Sequence, residues 1–393
     1  MVNKGRPARS HGTAVGRIVV SRIYWWSAVS GGRCEADRLL GMAQATVSVG
    51  LRQLMCLAGM QSRCFARGAE LLWKMAGIRV GEELLRQTVH KEGACAQRMS
   101  SREQLEPGWK AGDNIVQKPD GEQASRAYVS ADGVMVPATT QQSKDKRRQT
   151  VVKKRQAMPR QQRVELKPLG PVGKGSDLGY KQVYVTRIYD QDKQHTLVGV
   201  THKGTEGLQR LLRRDAARVL LRGAGERVGI EDGAVCLRGC LESLTLQEIL
   251  LDFYHLSEHV ALAAKLTLGT TPQAQQWTEQ MLHTVRHAGY EPFHEKLMEW
   301  RSRLRGQRRK AADQLINYGV QRREMIRYDL AERMGWDVGS GPMESQCGAT
   351  TDRIKGQGRR WDIPNAVGMM SLEAFYQSNL WETYWNAQLL PSN

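Results

Sequence analysis

Between residues 127 and 255 the apolar residues change their period several times, and the order of those changes restricts the fold more than any other property of the chain. Ala127 to Val136 reads as a strand. Val183-Tyr184-Val185-Thr186-Arg187-Ile188-Tyr189 and Thr196-Leu197-Val198-Gly199-Val200 are β-rich runs joined through Asp190-Gln191-Asp192-Lys193, the pattern of a hairpin. Helical spacing follows from about Glu206 to Leu221, then a strand ending at Asp232, a short helix, and the apolar run Glu248 to His255 as a buried strand. Three strands, helix, strand, helix, strand predict a layered α/β domain.

Carboxylates punctuate this order. Asp132 interrupts the first strand in Ser130-Ala131-Asp132-Gly133-Val134, and Asp232 ends the fourth in Glu231-Asp232-Gly233-Ala234. An aspartate at a strand end is solvated on one side and held rigidly on the other, as a divalent-ion ligand requires. Asp-Gly can equally mark a plain turn. A third acid, Glu344, stands in Gly339-Ser340-Gly341-Pro342-Met343-Glu344-Ser345-Gln346-Cys347. There Ser340 can cap a helix and Pro342 is tolerated in its first turn, so Glu344 is expected about one turn in. This order of elements is that of the RNase H-like fold, with carboxylates on the first strand, after the fourth strand and on a late helix. The helical stretch 256–334 then reads as an insertion.

The charge balance points to a polyanion. The 393 residues hold 58 Lys+Arg against 40 Asp+Glu, a net +18, and a surplus of this size predicts nucleic acid as the partner. No apolar run approaches the ~18 residues of a membrane span. A membrane partner is therefore not expected, and the chain reads as cytoplasmic. Seven scattered cysteines do not resemble a disulfide framework.

Four regions are expected. Residues 1–34 read as a basic, glycine-rich arm, and 35–98 as a small helical domain. In the latter, Leu39, Leu40, Met42, Leu51, Leu54, Met55, Leu71, Leu72, Leu84, Leu85 and Val89 recur at helical spacing. Ala69 to Gly81 has the helix, glycine turn, helix pattern of a helix-turn-helix, and of an ordinary helical hairpin as well. Residues 99–126 read as a linker and 127–393 as the α/β domain. The stretch 144–163 reads as a basic loop for phosphate-backbone contact, with Lys146, Arg147, Arg148, Lys153, Lys154 and Arg155 as candidate DNA ligands, joined by Arg353 and Lys355 near Glu344. Arg301 to Lys310 forms a second basic cluster.

Asp132, Asp232 and Glu344, with Asp252-Phe253-Tyr254-His255 after the second aspartate, resemble the DDE signature of Mutator-like transposases. The chain from about 127 to 390 is similar to the Kra-type transposases of bacterial insertion sequences. Their Asp-Gly-Ala, Asp-Phe-Tyr-His-x-x-Glu-His and Gly-Ser-Gly-x-x-Glu-Ser-x-Cys blocks are similar to Asp232–Ala234, Asp252–His259 and Gly339–Cys347. Where many relatives carry an N-terminal Cys-x-x-Cys knuckle, this chain has Trp25-Trp26-Ser27-Ala28. The resemblance implies an RNase H-like catalytic core with an all-helical insertion, preceded by a small helical DNA-binding domain. It also implies cleavage and strand transfer at element ends, with two Mg²⁺ ions on Asp132, Asp232 and Glu344 and Mn²⁺ as a substitute. Asp252 and His255 would support the site. The implied partners are double-stranded DNA, both terminal inverted repeats and target, and a second subunit, with the protein on the bacterial nucleoid. A general RNase H-like nuclease and a domesticated, non-catalytic DNA-binding protein are the alternatives.

Cys236-x3-Cys240 and His255-x3-His259 approach a Cys₂His₂ zinc spacing. The amphipathic and strand-like residues 241–254 between them are unlike a finger. The expectation is instead that the cysteines line one helical face and His255 braces the site floor through Asp252. Trp381 and Trp385, one helical turn apart, are expected in the core.

Overall fold

The computed structural model describes residues 1–39, 46–164 and 166–389, so Leu40 and Met42 of the expected first helix lie outside the described residues. The N-terminal residues are not a loose arm. They form strands β1 (Val2–Asn3), β2 (Ala8–Thr13), β3 (Gly16–Ser21), β4 (Trp25–Ser27) and β5 (Gly31–Arg33), with β2 paired to β3 and β4 lying between β1 and β5. The buried Asp37 holds the β2–β3 hairpin, accepting from Arg22 Nε, just past β3, at 2.7 Å and from Arg9 of β2 at 3.3 Å. Ion pairs at that sequence separation leave no local periodicity to read.

Helices α1 (Glu35–Leu39), α2 (Val49–Gln61), α3 (Phe65–Ala76) and α4 (Glu82–Ser101) follow, then β6 (Ile115–Gln117) and β7 (Gln123–Pro137). Next come α5 (Gln141–Gln156), α6 (Arg160–Val164), the hairpin β8 (Tyr180–Tyr189) and β9 (Thr196–Thr201), α7 (Gly204–Arg218), β10 (Glu226–Glu231), α8 (Val235–Leu241) and β11 (Glu248–Leu251). Helices α9 (Phe253–Leu268), α10 (Pro272–Ala288), α11 (Tyr290–Ser302), α12 (Gly306–Gln321), α13 (Tyr328–Met334), α14 (Gly341–Thr351), α15 (Ile363–Gln377) and α16 (Trp381–Leu389) complete the order. The stretch expected as a basic loop from 144 is therefore mostly helix α5. The expected strand 248–255 stops at Leu251, because the Asp252 carboxylate accepts from Tyr254 N at 2.7 Å and starts α9.

The chain divides into two compact units. The first comprises Met1–Glu106, Met135–Gln182 and Thr350–Asn393. Its core is α4, packed against α2, α3 and α15 with Leu85, Val89 and Ala96 fully buried. Gly93 of α4 meets Gly368 of α15 backbone to backbone; a Cβ on Gly93 would lie 2.7 Å from the Gly368 carbonyl carbon. Beside this contact the buried Glu92 accepts from Arg52 and from the Tyr384 hydroxyl, each at 2.6 Å. Trp381 and Trp385 are buried, as their spacing predicts.

The α3–α4 hairpin exists, with Gly77 at φ 67° closing α3. Yet α4 is the central helix of this bundle, and its first turn carries Glu82 and Glu83. A recognition helix entering a groove by that end would bring two carboxylates toward phosphates. Nor is 99–126 a free linker. It holds the end of α4, the buried Leu105, Trp109 and Ala111, and β6, although the division between units falls inside it.

The second unit, Pro107–Val134 with Val183–Ala349, contains the central mixed sheet, in the order β11-β10-β7-β8-β9 with β6 on β7. Strand β10 runs parallel to both β7 and β11, while β8 and β9 are antiparallel. One face buries Tyr128, Tyr189, Val228, Ile230 and Leu250 with Ala331 and Trp336. Helices from α9 to α13 make a separate apolar cluster around Leu256, Val260, Val285, Phe293, Leu297 and Tyr328, into which Leu251 also packs. Among the described residues no helix is long and apolar enough to cross a membrane.

At the amino ends of β7 and β10, Arg126 and Glu226 form a buried pair, 2.7 Å from Nε to carboxylate. Arg126 also donates to Gly335 O (2.6 Å), Met334 O (2.7 Å) and Gln191 Oε1 (2.9 Å), and Trp336 Nε1 donates to Glu226 at 2.9 Å. These bonds fix the end of α13, from which the chain runs to Glu344.

Candidate active site

Parallel pairing of β7 and β10 runs toward the first two acids. The last paired residues of the two strands are Ser130 and Ile230. Continued two residues past that pair, the register would set Asp132 opposite Asp232, at the ~4.8 Å spacing of neighbouring strands. Strand β11 adds a third, because Glu231 pairs with Leu251 and the next step aligns Asp232 with Asp252. Side chains alternate along a strand, so Asp132, Asp232 and Asp252 follow Tyr128, Ile230 and Leu250 on one face of the sheet. That is the face on which Ala331 and Trp336 pack.

Their environments differ. Asp132 and Asp232 are partly exposed, whereas Asp252 is buried. Asp232 Oδ1 accepts from Ala234 N at 2.9 Å, which orients the carboxylate within its turn. Arg322 clamps the same turn, donating to Gly233 O through Nε (3.0 Å) and Nη2 (2.6 Å) while its guanidinium lies 4.0 Å from the Tyr318 ring centroid. Gly233 has φ +89°, and a Cβ there would lie 2.3 Å from Arg322 Nε, so the turn requires glycine. The preceding Glu231 is buried and accepts from Gly233 N at 2.8 Å; burial pushes its pKa up to about 8, with the neighbouring Asp232 charge adding to the rise.

Asp252 locates the third acid's helix. One carboxylate oxygen caps α9 through Tyr254 N, and the other accepts from the Ser340 hydroxyl. Phe253 N donates to Val338 O at 2.9 Å, and Gly339 passes so close to Tyr254 that a Cβ would lie 2.7 Å from its ring. The Ser340 hydroxyl is thus spent on Asp252 instead of capping α14. Its carbonyl receives the N–H groups of Met343 (2.7 Å) and Glu344 (3.0 Å). Arg187 Nη1 holds Pro342 O at 2.6 Å, and Cys347 Sγ reaches Asp132 Oδ2 at 3.5 Å. Met343 and Cys347 are buried and Glu344 is exposed, in the first turn of α14 and one turn before Cys347.

His255 does not brace Asp252. It lies in the first turn of α9, 3.7 Å from Glu258, while Asp252 is engaged by Tyr254 and Ser340. Nor do the residues of the zinc-like spacing converge: Cys240 is buried with its thiol toward Thr205 O, and His259 stacks on Tyr318 at 3.7 Å. Among the described residues no group of three or more His, Cys, Asp or Glu side chains is gathered to hold a metal ion. Asp132 and Asp232 thus follow directly on the paired segment of β7 and β10, and Glu344 belongs to no closed ligand set among the described residues.

Of the expected DNA ligands, Lys146, Arg147, Lys153 and Lys154 are exposed on α5, Arg148 and Arg155 are half-buried there, and Lys355 is exposed. Arg353 does not project to solvent. Its guanidinium lies 4.8 Å from the Phe65 ring and 5.0 Å from the Trp361 ring, its Nε donates to Gly59 O at 3.0 Å, and burial draws its pKa down to about 10. A half-buried guanidinium so engaged is a packing element. Arg322, Arg187 and the Ser340–Asp252 bond are absent from the sequence-based site. The adjacency of Glu231 and Asp232 is displayed by a linear reading.

No protein-family profile and no curated protein matches the chain. Among solved structures, the Drosophila P element transposase strand transfer complex is matched at 10% identity over 89% of this chain and 83% of that one, with a TM-score of 0.27.

Proposed function

We propose that the chain is a DDE-type DNA transposase of an insertion sequence, with an RNase H-like core in its second unit and Asp132, Asp232 and Glu344 as the acids that hold divalent metal. One observation carries this reading: the parallel strands β7 and β10 pair up to Ser130 and Ile230, two residues before Asp132 and Asp232, and the Glu344 helix is tied to Asp252 through Ser340 and to Asp132 through Cys347. The donor set fits Mg²⁺, which takes oxygen ligands, needs few carboxylates and keeps several waters. When bound, the metal would supply charge stabilisation at the attacking and leaving oxygens of a phosphodiester.

The protein's own residues supply position. Ala234 N–H and the Arg322 clamp orient Asp232, and Cys347 contacts Asp132. Ser340, held by Asp252, sets where α14 begins and so where Glu344 stands. Asp252 acts as a positioning residue, each of its buried carboxylate oxygens accepting a hydrogen bond, from Tyr254 N and from the Ser340 hydroxyl. Double-stranded element ends and target DNA are the substrates, met by the cationic surface.

The test is DNA cleavage and strand transfer on the repeats flanking the native locus with Mg²⁺ or Mn²⁺, comparing wild type with Glu344→Gln. The substitution keeps volume and removes charge, so cleavage should fall at least ~10³-fold, several kcal/mol of transition-state stabilisation. Circular dichroism should be unchanged. Near wild-type cleavage by a folded variant would remove Glu344 from the site. The burial of α4 favours a second reading, a nuclease without an end-reading helix. Hydrolysis without joining of 3′ ends would select it.

A further inference from the structure

Helix α5 is anomalous for a folded protein: none of its residues is buried, and Gln141–Gln156 carries seven cations against the single acid Asp145. A helix polar all round is not retained by a core. Thr140 caps it, accepting from Ser143 N at 3.2 Å. At its start Gln141 donates its N–H to Ser176 O (2.9 Å) and accepts from Gly175 N through Oε1 (2.7 Å), and three cations tether the rest. Lys144 donates to Lys174 O (2.9 Å) and pairs with Asp362 (2.8 Å). Arg148 donates to Gly170 O (2.9 Å) and Leu169 O (3.2 Å), and Arg155 to Lys167 O (2.7 Å). The strap 167–174 is thus hung by its carbonyls from one side of the helix.

Helical geometry separates the cations into two sets. At about 100° per residue, 144, 148 and 155 fall within an arc of about 40°. Residues 146, 147, 153 and 154 fall within about 120°, centred about 140° around the helix from the first set. These four side chains are exposed and form no hydrogen bond or ion pair with the described residues. By contrast, Arg301 and Arg303 of the second basic cluster are paired with Asp313 and Glu299.

We propose that α5 is a duplex-DNA-binding element in which Lys146, Arg147, Lys153 and Lys154 contact phosphates on the two walls of a major groove, while Lys144, Arg148 and Arg155 anchor the helix to the protein. The pairs 146/147 and 153/154 are seven residues apart, about 10.5 Å along the axis. That matches the ~12 Å width of the B-DNA major groove, so each pair can serve one wall. The helix has no apolar face beyond the adjacent Val151 and Val152, which sets it apart from helices that lie in a membrane surface. The inference deepens the proposed function and takes only the choice of DNA from it.

The experiment is fluorescence anisotropy of the full chain with a 30-base-pair duplex of arbitrary sequence, across 50 to 200 mM salt. The variant Lys146→Gln/Arg147→Gln/Lys153→Gln/Lys154→Gln should lower the log–log salt slope by about 3–4, making its affinity loss over that range about 150-fold smaller than wild type's. Arg148→Gln/Arg155→Gln should keep the slope within about 1 and speed tryptic cleavage after Lys167 or Lys174, because the strap is released. Circular dichroism of both variants should match wild type. An unchanged slope in the fourfold variant, an equal fall in both variants, or dependence on these residues with phosphatidylserine vesicles or polyglutamate but not with duplex DNA would overturn the proposal. Because binding is the readout, a chain that shows the slope change but cuts no DNA sinks the catalytic reading alone, and one that cuts DNA with no slope change sinks this proposal alone.

Discussion

Replacing Glu226 by alanine tests how the second unit secures the approach to the Glu344 helix. Arg126 is 2% exposed and Glu226 5%, so the change leaves a guanidinium in a site that water does not reach. Breaking a buried pair by removing one partner costs about 3–5 kcal/mol. Two details place the loss within that range. Arg126 keeps its bonds to Gly335 O, Met334 O and Gln191 Oε1, which argues for the lower end. Trp336 Nε1 loses its acceptor, adding about 1 kcal/mol. The expected loss is about 4 kcal/mol, and at about 2–4 °C per kcal/mol for a unit of this size the melting midpoint should fall by about 8–16 °C. Urea unfolding followed by near-ultraviolet circular dichroism, with thermal melts alongside, measures it. Glu226→Gln retains an acceptor oxygen and should cost about half as much. Arg126→Met/Glu226→Leu removes both charges but leaves Gly335 O, Met334 O and Trp336 Nε1 without these partners, so it should recover only part of the loss. A loss under about 1 kcal/mol for Glu226→Ala would refute the claim that an unpaired buried charge sets the cost.

The other expectations concern the remaining buried contacts. Gly93→Ala drives a methyl into the Gly368 backbone and should destabilise the first unit by about 1–3 kcal/mol, measured by urea titration; a neutral result would mean that α4 and α15 separate without cost. Glu231 holds its proton to about pH 8 in the folded, metal-free chain, whereas the unfolded chain releases it near pH ~4.3. The unfolded state therefore binds fewer protons between those values, and stability contributed by this group falls as pH rises through that window. Glu231→Gln should flatten the decline and be the more stable form at pH 8 in chelator, by an amount on the order of 1–3 kcal/mol; parallel pH profiles would contradict it.

Much of the central sheet is legible along the chain. The hairpin β8–β9, the strand carrying Asp132, the strand ending before Asp232 and a helix starting near Pro342 each have a local cause: alternation of apolar residues, an Asp-Gly turn, a proline tolerated in a first turn. Such causes act within a few residues, so they survive in a linear reading. That Asp132 sits within a strand and Asp232 directly after one is legible for the same reason. How those strands pair is not, because it depends on the register between segments a hundred residues apart in sequence. The same limit explains the departures. The β2–β3 hairpin is held by Asp37 reaching Arg9 and Arg22, and Arg353 is drawn between Phe65 and Trp361. Ser340 turns from its own helix to Asp252, and α4 is enclosed by α2 and α15. Composition alone determines that this chain is strongly cationic and that residues 144–155 concentrate the charge. Which of those cations remain free is decided by the strap 167–174, whose carbonyls occupy one side of α5, since a guanidinium spent on a carbonyl is no longer available to a phosphate.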